Sequence, residues 1–386
     1  MSQKTRKEVL EKMCRRYRNG GLEHRKKLID EAVELFGYHR KAAIRRLAAE
    51  PILPPVTRRS GRPRKYDPQV LLPVLKSIWL AGQQPCGKRL ASMMPEWVPA
   101  YEAYHRSVPS SVRDDLLEVS AATLDRLLRP CRIEQGKGRS GTRPGTMLRQ
   151  SIPIRGGSWQ ENQPGWTEAD TVSLCGGRVA GENVWIVDNT DICTTWVEMR
   201  AMYGRGQHGT VEQLREIEAA QPFAWLGLDS DNGGEFINHH VLSWCQTQRA
   251  QPILYTRSRP YRSNDNAHVE QKNWTHVRHW FGYERHDNPE VVALINDLAR
   301  GALGQFVNLF SPSMKLRSKQ NEEGGKERRL YGAPATPFAR VIAHPEILPE
   351  KKTELQELKA RLNPFALETE IQKQLRKIAE VRRALE

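Results

Sequence analysis

Apolar residues recur at helical spacing through LIDEAVELF, with Leu28, Ile29, Ala32, Val33, Leu35 and Phe36 in the pattern. A charged helix is predicted before it, over residues 5–18. Gly37-Tyr38-His39 breaks the spacing. It resumes over residues 40–49, with Ala43, Ile44 and Leu47 expected inside and Arg40, Lys41, Arg45 and Arg46 outside. Helix, glycine turn and short basic helix is the helix-turn-helix pattern, whose second helix lies in a major groove of DNA. An ordinary helical hairpin has the same local signature.

Residues 69–132 repeat the helical texture. Val70 to Leu80 is apolar and helical despite Pro73, and GKRLASMMPEW reads as the first helix of another helix-turn-helix. In residues 119–130, Ser120 is the expected N-cap, Leu124, Leu127 and Leu128 share a face, and Pro130 is the expected stop. Arg126, Arg129 and Arg132 leave that segment basic.

From about residue 160 the pattern turns to strands dense in Val, Ile, Thr and Trp: 165–175, 183–189 and 191–200. The step from Asp188 to Asp191 reads as a hairpin, with both aspartates as turn formers rather than ligands. A helix (211–220), a strand ending at a turn (222–233), a helix (235–248), a short strand (251–256) and two long helices (265–283 and 289–310) follow. This order predicts a mixed α/β sheet of five strands with flanking helices. Residues 311–341 are polar and irregular, with a small hairpin expected around GGKERRLYG, and 350–386 read as two charged amphipathic helices split at Asn363-Pro364-Phe365.

Charge adds a partner to this picture. The 386 residues carry a net +15, and residues 1–150 hold 31 Lys or Arg against 15 Asp or Glu, which accounts for the whole excess. Such asymmetry points to a basic region that meets a polyanion, most often nucleic acid; a merely soluble basic surface is the bland alternative. Two linkers share the charge. Residues 51–68 are Pro-rich and contain Gly61-Arg62-Pro63-Arg64-Lys65, which resembles an AT-hook core following a narrow minor groove. Contact with phosphates alone fits that segment as well. Residues 133–158 are Gly- and Arg-rich and suit tracking of the DNA backbone, or disorder away from DNA. The six cysteines form no CxxC pair, which argues against a zinc ribbon or a disulfide framework and fits a reducing cytoplasm. No apolar run approaches the ~18 residues of a membrane helix, and the N-terminus shows no apolar signal segment.

Three carboxylates stand where an α/β fold can converge them. Asp170 lies within the first strand, Asp231 opens the turn Asp-Asn-Gly-Gly-Glu-Phe after a later strand, and Glu270 lies in the first turns of a helix. Hard oxygen ligands of this kind suit Mg²⁺ or Mn²⁺. Each has a competitor: Glu168 lies two residues before Asp170, and Asp229 two before Asp231, on the same side of an extended strand. Glu270 taken alone also fits a solvated helix carboxylate.

DSDNGGEF followed by PYRSNDNAHVEQKN resembles the integrase core of retroviral integrases and of bacterial DDE insertion-sequence transposases. GWTEADTV and VWIVDNTDICTTWVE resemble that family's first strands, and the resemblance covers roughly residues 160–300. It implies a ribonuclease H-like core, a catalytic and metal-binding triad of Asp170, Asp231 and Glu270, and two Mg²⁺ or Mn²⁺ ions per active site. The 38 residues between Asp231 and Glu270 slightly exceed the family's usual spacing, which we read as a loop-length difference. The chain lacks the His and Cys spacing of the retroviral N-terminal zinc domain, so the bacterial transposases are the nearer comparison.

Neighbouring residues gain expected roles near the site or on DNA. Asn232 follows Asp231; Asn266, His268, Lys272 and Asn273 surround Glu270, with positions 266, 270 and 273 on one helical face. His268 is expected as a supporting or DNA-contacting residue rather than a general base. Arg257, Arg259 and Arg262 are expected in the loop before the catalytic helix, meeting the scissile strand. His239-His240 read as a surface pair, and Trp274 and Trp280 as core packing.

The expected organisation is a helix-turn-helix at 1–50, a linker at 51–68, a second helical DNA-binding domain at 69–132, a linker at 133–158, the catalytic core at 159–310 and a helical C-terminal region at 311–386. DNA contacts are expected from Arg40, Lys41, Arg45, Arg46, Arg62, Arg64, Lys65, Arg126 and Arg129. The partners implied are double-stranded DNA, both element ends and target, and further copies of the chain in a synaptic complex, in the bacterial cytoplasm at the nucleoid. The C-terminal helices fit either that assembly or an intramolecular cap. A DNA-binding regulator with an inert core, and a nuclease that cuts without joining, are the rival functions.

Overall fold

The computed structural model describes residues 3–49, 65–134, 162–178, 181–204, 206–230, 235–236, 238–257, 273–321 and 327–384. The chain forms two compact units, Met1–Lys65 and Tyr66–Glu386.

The described residues of the first unit hold three helices, α1 (Gln3–Asn19), α2 (Leu22–Phe36) and α3 (Arg40–Ala48). Met13, Leu28, Ile29, Ala32, Phe36, Ala43 and Leu47 form its core. Gly37 ends α2 in the left-handed region (φ 67°), a conformation that costs glycine little, and the His39 side chain caps α3 by accepting from the Lys41 amide. Ile44, expected inside, is 37% exposed. Ala43 and Leu47 are one turn apart and make the inner seam of α3; Ile44 is rotated about 100° away from Ala43. Arg6 and Arg46 lay their guanidiniums over the Tyr38 ring. Arg40 pairs with Asp30.

The second unit opens with five helices: α4 (Pro68–Ala81), α5 (Gly87–Tyr104), α6 (Ser110–Glu118), α7 (Ala121–Leu127) and α8 (Arg129–Glu134). Asp67 and Ser120 cap α4 and α7 with their side chains. Pro130, expected as a stop, is the second residue of α8, where a missing N–H costs nothing. α5 continues past the predicted segment, through Pro95 and Pro99, because Met94, Trp97, Val98 and Tyr101 are buried along it.

The sheet has five strands: β1 (Trp166–Ser173), β2 (Val184–Asp191), β3 (Val197–Tyr203), β4 (Gly227–Ser230) and β5 (Leu254–Arg257). Their order is β3-β2-β1-β4-β5. The β3–β2 and β2–β1 pairs are antiparallel, and the β1–β4 and β4–β5 pairs are parallel. This is the mixed five-stranded sheet expected of a ribonuclease H-like core. Asp188 corrects one expectation: it sits within β2 rather than in a turn. Val184, Ile186 and Val187 bury around it, and the turn falls later. Asp191 does form that turn, accepting from the amide and hydroxyl of Thr194, both at 2.6 Å.

Side-chain alternation separates the two sheet faces. Ala169, Val187, Met202, Leu228 and Tyr255 pack against α9 (Gln207–Ala220) and α10 (His239–Gln246) through Leu214, Ile217, Val241 and Trp244. Val172, Ile186, Val197, Met199 and Ala201 join the opposite core. That face receives α11, a π-helix at Asn273–Arg278 running into His279–Phe281. It also receives α12, which begins at Glu290–Leu298 and continues through π-segments Ala299–Leu303 and Phe306–Phe310.

Two asparagines of α12 cover the edge strand β3. Asn308 accepts from the Val197 amide (2.9 Å) and donates to the Val197 carbonyl (2.7 Å). Asn296 does the same at Ala201, at 2.6 and 3.0 Å. Each primary amide thus imitates a neighbouring strand and satisfies an edge that is otherwise open to pairing.

After α12 come the hairpin β6 (Leu316–Asn321) and β7 (Glu327–Tyr331), then α13 (Pro337–Ala343), α14 (Pro349–Ala360) and α15 (Pro364–Arg383). The expected hairpin and the split at Asn363 are both present, with Asn363 capping α15. Phe365, Leu367, Ile371 and Ile378 of α15 are buried in the same core as Leu75, Trp97, Leu124 and Ile186. Trp97 meets Phe306 and Phe365 edge-on at 6.1 and 5.3 Å. The helices of residues 68–134, the outer sheet face and the C-terminal helix therefore share one hydrophobic core. No helix among the described residues is long and apolar enough to cross a membrane.

Candidate active site

β1 is the central strand, and its even-numbered residues Glu168 and Asp170 point to the face covered by α11 and α12. Ladder register brings further acids to that face. Asp170 stands opposite Asp188 of β2, and Glu168 stands opposite Asp229 of β4. Glu168, Asp188 and Asp229 are completely buried, whereas Asp170 is only partly so. Of these four carboxylates, Asp170 alone reaches solvent. One of its oxygens accepts from the Thr171 amide at 2.7 Å.

Asp229 is tied inward: its carboxylate accepts from the Thr256 hydroxyl of β5 at 2.5 Å. Residue 231 follows directly on Ser230, the last residue of β4, which registers with Ala169 beside Asp170. Beyond it, Glu235 is 2% exposed and accepts from the Thr171 hydroxyl. The Tyr255 hydroxyl donates to the Phe236 carbonyl at 2.7 Å and lies 3.0 Å from Ser230 Oγ. Asn238 caps α10, accepting from the amides of His240 and Val241, and donates to the Glu235 carbonyl at 2.6 Å.

Asp231, Asn232, Arg259, Arg262, Asn266, His268, Glu270 and Lys272 lie outside the described residues, as do Arg62 and Arg64. Asn273 is the first residue of α11. Arg257 corrects an expectation: it is the last residue of β5, registered with Ser230 and 4% exposed, not part of a loop. Parallel pairing with β4 extends β5 far enough to include it. Arg126 donates to Thr123, Arg129 opens α8, and Lys65 sits at the end of the first unit. His239 and His240 are exposed on α10, and Trp280 packs edge-on against Phe306. His276, which no motif marks, is buried in α11 where that helix crosses β1 and β2. Its helical spacing from Trp280 was the available signal.

At the other end of β2, Asp191 is buried and its carboxyl is pushed up to about 6. Burial is the cause, opposed by hydrogen bonds from Thr194 and from the Gly165 amide. This group is structural, joining the β2–β3 turn to the start of β1. Lys315 and Arg340 hold the same turn through the carbonyls of Cys193 and Thr194.

Carboxylate donors are hard oxygens of the kind Mg²⁺ and Mn²⁺ take, and Asp170 offers such a donor at the surface. Among the described residues, no group of three or more His, Cys, Asp or Glu side chains could hold a metal ion. The buried acids of the sheet are therefore not a metal cage by themselves.

The fold and site define an α/β protein with a ribonuclease H-like sheet order and a partly exposed aspartate on its central strand. The chain belongs to the family of the uncharacterized protein y4rM of Sinorhizobium fredii (strain NBRC 101917 / NGR234). The two are 37% identical over 343 residues, spanning 88% of this chain and 96% of that one. No family model matches the sequence. Among solved structures, the chain is similar to the HTLV-2 integrase catalytic core domain in complex with magnesium, in its dimeric form. That likeness has 13% identity and a TM-score of 0.29, covering 43% of this chain and 95% of that one. It is also similar to the catalytic core domain of BIV integrase, at 16% identity and a TM-score of 0.28, covering 51% and 99%. A third likeness is to a simian T-cell lymphotropic virus intasome in complex with the PP2A regulatory subunit B56 gamma. Its identity is 15% and its TM-score 0.30, covering 61% and 87%. Scores this low carry no argument about this chain; strand order and register carry the fold.

Proposed function

We propose that the chain is a DNA transposase that cuts at the ends of a mobile element and joins the freed 3′-hydroxyl to target DNA. The observation that carries this reading is the partly exposed carboxylate of Asp170 on the central strand, one ladder position from the end of β4, where the sequence continues into Asp231. The integrase-like motifs supply the rest of the set: Asp231 and Glu270.

In this reading Asp170, Asp231 and Glu270 hold two Mg²⁺ or Mn²⁺ ions. When bound, such ions neutralise charge on the reacting phosphate and activate the attacking oxygen. The chain's own contribution is positioning: the central strand holds Asp170, and basic residues hold the DNA. Arg259, Arg262, Lys272, Asn266 and Asn273 are assigned to the strands near the site, with Asn232 and His268 in support. Lys41, Arg45 and Arg46 of α3 are assigned to element ends, with the basic segments at 51–68 and 133–158 on phosphates. Joining two ends requires at least two copies of the core.

The test is a Mg²⁺-dependent cleavage and strand-transfer assay with purified wild type and Glu270→Gln, on DNA carrying the element's flanking ends. Joined products with wild type and none with the variant are expected. DNA binding by both, with cutting by neither, overturns the enzyme reading in favour of a regulator. Cutting without joining favours a nuclease.

A further inference from the structure

α3 packs against α1 and α2 through Ala43 and Leu47, both without exposed surface. Lys41, Ile44, Arg45 and Ala48 are exposed, and their i, i+3, i+4, i+7 spacing sets them in one stripe along the helix. Ile44 is 37% exposed, so a branched apolar side chain stands between two cations.

A single exposed isoleucine is ordinary on a protein surface. The setting of this one is not. The sequence of α3, RKAAIRRLA, contains no acidic residue. Arg40 is paired with Asp30, and the Arg46 guanidinium lies over the Tyr38 ring, 5.2 Å from its centroid. Lys41 and Arg45, which flank Ile44, have no ion-pair partner among the described residues. The stripe therefore offers positive charge that the unit does not neutralise, with an apolar group in its middle.

Such a surface fits a partner that is anionic at its rim and carries a small apolar group inside. The major groove of duplex DNA has that chemistry. Phosphates line both of its edges, and the thymine C5-methyl is the apolar group that the base pairs present there. Lysine and arginine can bond phosphate or base. An isoleucine in the same stripe can pack only on the methyl. Ala48, one turn further on, adds little bulk, so the stripe can approach the groove floor closely.

We infer that Ile44 is a specificity-determining residue that packs on the C5-methyl of a thymine while Lys41 and Arg45 hold α3 in the groove. This rests on the proposed reading of the chain as a transposase that binds the ends of its element.

The experiment measures binding of full-length protein to duplexes carrying the element's ends, by fluorescence anisotropy. Each thymine in turn is replaced by deoxyuridine, which removes only the methyl. Wild type is expected to lose about fourfold in affinity at one thymine or more, the worth of one buried methyl. Ile44→Ala is expected to bind unmodified DNA more weakly by a similar factor and to be indifferent to deoxyuridine at one of those thymines. Its salt slope and its urea unfolding midpoint are expected to match wild type, since the side chain is uncharged and lies outside the core. Ile44→Val, which keeps the branched end, is expected to retain part of the thymine preference. Wild type indifferent to every replacement overturns the inference. So does Ile44→Ala losing as much as wild type at every sensitive thymine; with a lowered unfolding midpoint, that result assigns Ile44 to packing. Wild type binding the ends no more tightly than a scrambled duplex overturns the reading of end recognition, and the inference falls with it.

Discussion

Asp170 and Asp188 stand opposite each other across the β1–β2 ladder, on one face of the sheet, one partly exposed and the other completely buried. In the transposase reading, only the partly exposed partner can reach DNA or an ion shared with DNA. Asp188→Asn is therefore expected to lower single-turnover cleavage by no more than about tenfold, the lower range for a residue that acts through another. Asp170→Asn is expected to bring it below detection. Comparable losses in both variants would assign Asp188 a direct role.

The Asn308 amide answers both backbone groups of Val197 on the edge strand. Asn308→Leu leaves a buried N–H and C=O without partners. The expected cost is about 2–4 kcal/mol, read as a lower urea midpoint with an unchanged slope. Asn296→Leu is expected to behave alike at Ala201.

Asp191 predicts a pH dependence. Its folded carboxyl is raised to about 6 from 3.8, mainly by burial. The unfolded chain releases this proton first as pH rises, so the group's contribution to stability is fully present below about pH 4 and lost through pH 6. Relative to Asp191→Asn, wild type is expected to lose roughly 2–3 kcal/mol between pH 4 and pH 7. Urea unfolding of both proteins across that range measures it; a constant difference contradicts it.

In the first unit, Arg40, Lys41, Arg45 and Arg46 are all exposed on α3, with Arg40 paired with Asp30 and Arg46 stacked on Tyr38. If α3 meets DNA phosphates, Lys41→Ala with Arg45→Ala should weaken binding similarly on all sequences. The slope of log K against log salt should fall by roughly 2, at about 0.9 per phosphate contact. An unchanged slope places the contacts elsewhere.

The order of strands and helices was legible because each element carries its own period, and glycine, proline and asparagine mark the breaks. Asn363 and Gly37 sit where those rules put them. Asp188 lies in a strand although Asn-Thr-Asp is turn chemistry taken locally, because β2 continues through it by pairing with β1 and β3. Arg257 lies in β5 for a similar reason, since parallel pairing with β4 is not a local property. Asn296 and Asn308 bond to residues 95 and 111 positions earlier, and no spacing rule reaches that far. Within the site, Asp170 could be named from sequence, but its exposure relative to Glu168 needed the sheet. Tyr255 gave no sign at all, because its hydroxyl acts on residues brought to it by the β4–β5 pair.

The most direct measurement is strand transfer by Asp170→Asn, with binding to the same DNA measured in parallel. The account predicts wild-type binding, Mg²⁺-dependent joined products from wild type, and none from the variant. Joined products from Asp170→Asn at the wild-type rate would contradict it.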